Sequence, residues 1–193
     1  MARTPSTMLE LGTKAPAFTL MDFDGRPHSL EDFAAAPALL VAFICSHCPF
    51  VKHIREAFAR MAREYQPKGL AVVAINANDL VAYPQDGPDA MRAEARALGY
   101  PFPYLVDESQ AVARAYRAAC TPDFFLFDAR RRLVYRGQFD DSRPGTEVPV
   151  TGADLRAAVG DVLAGRAPTV EQRPSLGCNI KWKPGNEPDY YGG

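Results

Sequence analysis

The sequence predicts an α/β domain, a central β-sheet flanked by helices, and three observations carry that expectation. Leu39-Leu40-Val41-Ala42-Phe43-Ile44 is apolar on both faces, as a strand covered by helices on both sides must be. A segment patterned as a helix follows from Phe50 to Tyr65, and then a second apolar run from Leu70 to Ile75. Strand, helix and strand of these lengths make a right-handed parallel crossover.

The chain has 193 residues, 47% hydrophobic and 23% charged, which suits a soluble globular protein. One domain over residues 1–170 with a C-terminal arm over 171–193 is expected. Net charge is -1 with the signs interspersed, so neither a nucleic-acid face nor an acidic tail is expected. Met1 to Lys14 holds no continuous apolar stretch, and the run from Ala34 to Cys45 is too short to span a bilayer. Neither signal peptide nor anchor is therefore expected, and the cytoplasm is the expected compartment.

Ala17 to Leu20 alternates as a strand does, Asp24-Gly25 marks a tight turn, and Pro27 to Leu30 returns, giving an N-terminal hairpin. Ser29 and Asp32 have the spacing of a cap. In the helix after Pro49, Phe50, Ile54, Phe58, Met61 and Tyr65 recur at helical period, and Pro67 and Gly69 stop it. Asn76 to Gly87 reads as a loop and Pro88 to Leu98 as a helix closed by Gly99. Further along, the pattern predicts a strand over Tyr104–Val106 and a helix over Glu108–Ala118. Two strands over Asp123–Phe127 and Leu133–Arg136 form a second hairpin, and the last helix is Asp154–Leu163. Residues 171–193 hold three prolines and four glycines without periodicity. Trp182, Tyr190, Tyr191 and Cys178 nevertheless favour an ordered arm packed on the domain.

Chemistry concentrates at Cys45-Ser46-His47-Cys48-Pro49, between the first apolar strand and its helix. The thiolate is the nucleophile in disulfide exchange, and unsatisfied N–H groups at a helix N-terminus favour an anion there. The expectation is an exposed, acidic Cys45 as nucleophile, Cys48 one turn on as the resolving thiol, and His47 tuning the thiol pKa. Pro49 fits the first helical turn, where its missing N–H loses nothing. A structural zinc site needs a second such pair or a His pair, whereas Cys120 and Cys178 stand alone. No metal and no cofactor are expected. Thr121-Pro122, directly before a strand, is the second site: a cis peptide there would set a backbone edge against the dithiol.

With these pieces in order, the chain resembles the thioredoxin superfamily, in its AhpC/TSA-like branch, peroxiredoxin-like and ResA/TlpA-like. The matching residues are Gly12, Ala15-Pro16, Phe18, Leu20 and Asp24-Gly25, then the strand–CSHC–helix, then Thr121-Pro122, spanning Leu11 to Leu163. The resemblance implies a thioredoxin-like central mixed sheet, cis-Pro122 facing Cys45 and Cys48, and thiol–disulfide exchange. It also implies that Thr121 and Pro122 bind extended substrate. The stretch from Pro174 to Asn186 looks like that of an uncharacterised peroxiredoxin-like bacterial group. The chain departs from the family patterns at four places. Ile44 replaces the tryptophan and Ser46-His47 the Gly-Pro of a thioredoxin motif. Leu39 replaces its buried carboxylate, which leaves the proton acceptor for Cys48 unnamed. Aligned on Cys48, the proline and threonine of a peroxiredoxin signature are Val41 and Cys45.

Cys120 reads as a small buried hydrophobe. The other readings are a second redox pair, Cys120 with Cys178, tying the arm over the site, or a relay between them. His53 is expected to pack or face solvent and His28 to lie on the surface. Trp182, between Lys181 and Lys183, is expected to anchor the arm. Asn76, Asn78 and Asp79 are expected to end the second strand. The functional expectation is a thiol–disulfide oxidoreductase acting on a protein disulfide or small oxidant. Thioredoxin or another dithiol would regenerate it, with neither nucleic acid nor membrane as partner. An atypical peroxidase in which Cys48 reacts and Cys45 resolves is the second reading. A binding module or metal carrier without catalysis is the third.

Overall fold

The computed structural model describes residues 3–191. The chain opens with a short strand that the sequence does not announce, β1 (Arg3–Pro5), and continues into the expected hairpin of β2 (Thr19–Asp22) and β3 (Pro27–Ser29). Asp22 closes that turn by accepting the N–H groups of Asp24 and Arg26 at 2.8 and 2.9 Å, while Gly25 takes φ 78°. The cap at Ser29 is present as well, its N–H donating to Asp32 at 2.7 Å.

β4 (Ala38–Phe43) is buried along its whole length and delivers the chain to α1 (Pro49–Tyr65). β5 (Leu70–Asn76) then returns parallel to β4, in register from Ala38 opposite Leu70 to Phe43 opposite Ile75. α2 (Pro88–Leu98) has proline in its first turn and Gly99 as a left-handed stop, and β6 (Tyr104–Val106) adds in parallel to β5.

The next helix is shorter than expected: α3 covers only Ala111–Ala115. Two left-handed residues, Gln110 at φ 62° and Arg117 at φ 51°, cut off both ends of the predicted segment. Gln110 is fully buried, and its amide does work no helical residue could do. Its Nε2 donates to the carbonyls of Ala77 and Lys181, and its Oε1 accepts from the Lys183 N–H and Asn186 Nδ2.

After β7 (Cys120–Thr121), the antiparallel pair β8 (Asp123–Phe127) and β9 (Leu133–Gly137) completes a seven-stranded mixed sheet, ordered β3-β2-β6-β5-β4-β8-β9. Side chains of β4 alternate between its faces, as strand geometry requires. Leu40 and Ala42 pack with α1 and with α4 (Ala153–Leu163), whereas Leu39, Val41 and Phe43 pack with α3, Tyr116 and Trp182. Among the described residues, no helix is long and apolar enough to cross a membrane.

The arm contributes β10 (Leu176–Asn179), the middle strand of a second, three-stranded sheet in which it lies antiparallel to both β1 and β7. Its course is held at close intervals. Gln138 donates its N–H to Arg173, Ser175 Oγ donates to the Gly137 carbonyl, and the Ile180 N–H donates to the Ala119 carbonyl. Trp182 is buried, edge-on to Tyr190 at 6.4 Å. Lys181 is tied by main-chain bonds, donating to Asn78 Oδ1 and accepting from Asp79.

Candidate active site

Cys45 leaves the end of β4, and Cys48 is the N-cap residue of α1, so the apolar strand and the amphipathic helix between them fix both thiols. The exposed Cys45 of the sequence reading is not what folds: Cys45 is 1% exposed and Cys48 0%. Both sit in the apolar cluster of Ile44, Val51 and Ile54. Around them stands the cis peptide Thr121-Pro122. Cys45 Sγ lies 3.5 Å from Thr121 Oγ1, and Cys48 Sγ lies 3.2 Å from the Thr121 carbonyl oxygen.

The two thiols also differ in their surroundings. A hydrogen bond from Cys45 and the backbone N–H groups of Val51 and Cys178 favour the anion at Cys48 and hold its pKa well below the ordinary thiol value, outweighing burial. Cys45 is pushed up by giving its proton to that bond, by burial and by the nearby Asp86 carboxylate. The physical reason is where the helix begins. The helix begins at Pro49 with Cys48 as its N-cap, so its free N-terminal amides lie next to Cys48 and three residues or more beyond Cys45.

His47 is held by Asp86, a carboxylate that sequence reasoning passed over inside the loop after β5. Asp86 is fully buried. It accepts the His47 backbone N–H at 2.9 Å and meets His47 Nδ1 at 2.5 Å. The same nitrogen is 4.0 Å from Cys45 Sγ, so its short contact is with the carboxylate and not with the thiol. Asn78 Nδ2 donates to Asp86 Oδ2 at 2.8 Å, and Asn76 Nδ2 to the Asp86 carbonyl. These asparagines, expected only to end the strand, form the floor under Asp86. Tyr83 stacks on the imidazole at 5.9 Å.

Cys45, His47 and Asp86 bring their donor atoms within 4.8 Å of one another, the spacing of a metal cluster. A zinc ion with ligands about 2.0–2.3 Å away needs its donors well over 3 Å apart. The 2.5 Å contact between Nδ1 and Asp86 is closer than two ligands of one zinc ion would stand.

The arm changes the meaning of Thr121 and Pro122. The backbone edge expected to take extended substrate already carries β10, with Cys178 opposite Thr121 and Asn179 opposite Cys120. Antiparallel partners share a face and neighbours alternate, so Cys178 and Cys120 are not cross-strand partners. Cys120 instead directs its Sγ at the Pro122 carbonyl at 3.6 Å, buried among groups that push its pKa up. Cys178 belongs to the buried cluster that holds Cys45 and Cys48. All four cysteines are unpaired thiols. His53, one turn into α1, bonds Ser142 Oγ at 2.7 Å, and His28 pairs with Asp22 at 3.2 Å on the opening hairpin.

Asp123 is a second buried carboxylate missed in the sequence, raised by desolvation to about 7. It stands opposite Phe43 in the β4–β8 ladder, hence on the face turned away from α1. It is therefore not the proton acceptor that the motif lacks for Cys48.

Residues 11–136 match the AhpC/TSA family. The chain belongs to that family. It is 28% identical over 132 residues to the thiol-disulfide oxidoreductase ResA of Geobacillus thermodenitrificans, covering 67% of this chain and 70% of the relative. It is 30% identical over 115 residues to a putative peroxiredoxin of Mycobacterium tuberculosis, covering 60% of this chain and 68% of the relative. Among solved structures it superimposes on a hypothetical protein of Sinorhizobium meliloti 1021 with TM-score 0.92 at 58% identity, covering 93% and 98% of the two chains. The thioredoxin-like fold is shared with the thioredoxin domain of a Bacteroides vulgatus thiol-disulfide oxidoreductase, TM-score 0.55 at 19% identity, covering 66% and 88%. Redox enzymes of both kinds, disulfide oxidoreductases and peroxiredoxins, are thus this chain's relatives.

Proposed function

We propose that this AhpC/TSA protein is a thiol–disulfide oxidoreductase that works through the dithiol of Cys45 and Cys48. Cys48 carries the thiolate and Cys45 holds the shared proton, the reverse of the order expected from the sequence. The observation that carries this reading is the asymmetry of the pair: Cys48 caps the N-terminus of α1, and the buried carboxylate of Asp86 stands beside Cys45. Cys48 attacks one sulfur of a protein disulfide and forms a mixed disulfide, and the leaving thiolate takes a proton. Cys45, once deprotonated, then displaces the second substrate thiolate and closes a Cys45–Cys48 disulfide. An external dithiol restores the pair by the same exchange in reverse.

The test is insulin-disulfide reduction with a dithiol reductant, alongside iodoacetamide labelling of each thiol across pH. Turnover lost in Cys48→Ser, with labelling of Cys48 preceding that of Cys45 as pH rises, is the expected result. Turnover surviving in Cys48→Ser removes the reading.

A peroxidase is the second reading, favoured by the same thiolate at Cys48 and by the peroxiredoxin relative. There, hydroperoxide oxidises Cys48 to a sulfenic acid and Cys45 condenses with it, releasing water. Stopped-flow peroxide consumption, with dimedone capture at Cys48 in Cys45→Ser, separates it from disulfide exchange.

A further inference from the structure

We propose that Cys178 is a third redox thiol, presented to Cys48 by the arm as an internal counterpart of a substrate cysteine. The inference rests on the exchange chemistry proposed above and adds a partner to it. Strand pairing and core packing together place Cys178 there. β10 runs antiparallel along Cys120–Thr121, the backbone edge beside the dithiol, as an added peptide strand would. Its register sets Cys178 opposite Thr121, the residue whose carbonyl oxygen is 3.2 Å from Cys48 Sγ. Finally, Cys178 packs in the same buried cluster as Cys45 and Cys48.

That arrangement is held by more than one strand ladder. Gly177 passes so close to Thr121 that no side chain fits between them. Gln110 binds the arm just beyond, at Lys181, Lys183 and Asn186. Lys181 is joined through Asn78 to the carboxylate that holds His47, so the arm and the dithiol loop rest on common supports.

The step is an exchange within the protein and needs no added oxidant. In the oxidised protein, the Cys178 thiolate attacks Cys48 Sγ; the Cys45–Cys48 bond breaks and a Cys48–Cys178 bond forms. Cys45 leaves as a thiolate and takes up the proton that Cys178 lost. One disulfide is present before and after, and no electrons enter or leave. The bond fastens β10 over the site, and Cys45 becomes the thiol that reopens it.

The experiment is disulfide mapping by mass spectrometry on the full chain after diamide oxidation and acid quench. Wild type is expected to give both Cys45–Cys48 and Cys48–Cys178 linkages. Cys45→Ser is expected to give Cys48–Cys178 as its main linkage, and Cys120→Ser to leave the wild-type map unchanged. If Cys45→Ser does not fold, Cys45→Ala and the wild-type map decide. Oxidised Cys45→Ser that yields intermolecular dimers, overoxidised Cys48, or Cys178 joined to Cys120 overturns the proposal. Insulin reduction separates it from the functional reading. An active wild type whose Cys45 variants lack the Cys48–Cys178 bond sinks this proposal alone. A wild type without disulfide turnover whose variants form the bond sinks only the oxidoreductase reading.

Discussion

A β-carbon placed on Gly177 would sit 2.0 Å from the carbonyl oxygen of Thr121. The obstacle is backbone on both sides, so neither partner can turn aside. β10 lies on the edge beside the dithiol because position 177 has no side chain. Gly177→Ala is therefore expected to lift the arm from Cys120–Thr121 while the seven-stranded sheet stays folded. Native-state iodoacetamide labelling of Cys48 and Cys178 should accelerate at least tenfold, and stability should fall by about 2 kcal/mol or more. Unchanged labelling rates would show that the arm does not cover the thiols in solution.

Asp86 adds its charge to the contact with Cys48 and to burial in keeping the proton on Cys45. Its carboxylate stands near Cys45 and raises that thiol's pKa. Asp86→Asn keeps the shape and removes the charge, so the pH midpoint for Cys45 labelling should move down by about one unit. The same change leaves the Asn78 amide facing a poorer acceptor, with an expected loss of about 1–3 kcal/mol in urea denaturation. A Cys45 midpoint that stays where it is would mean that burial, not Asp86, keeps this thiol protonated.

Asp123 gives the protein a pH dependence of its own. Burial holds its carboxyl up to about 7, against an ordinary value near 3.9. The folded state therefore keeps a proton that the unfolded chain has lost, and stability declines as pH rises from about 4 to about 7. Above the folded pKa the loss is complete, on the order of 4 kcal/mol if nothing relaxes. Asp123→Asn should flatten this part of the melting-temperature profile and raise the melting temperature at pH 8. A profile identical to wild type would assign the ionisation elsewhere.

Much of the frame was legible from periodicity, since burial on both faces leaves a continuous apolar run at β4 and β5, and α1 keeps its helical spacing. Glu108–Ala118 misled because its composition suits a helix, while Gln110 is taken into a left-handed conformation by the bonds it makes to Ala77 and the arm. β1 and β10 were invisible for a related reason. Short strands that fill one another's hydrogen bonds need no hydrophobic pattern of their own. Asp86 was hidden because a carboxylate in a loop looks like a solvated turn residue until Asn76, Asn78 and His47 close around it.

By itself, the sequence determined that two thiols three residues apart join a buried strand to a helix, and that Thr121-Pro122 precedes a strand of the same sheet. Those are local facts, written in spacing and residue type. Which sulfur is favoured as the anion, and that a third thiol arrives from the arm, were decided only by the tertiary structure. Charge stabilisation depends on distance through space to amides and carboxylates, and residues 86 and 178 become neighbours of the dithiol only when the chain has folded.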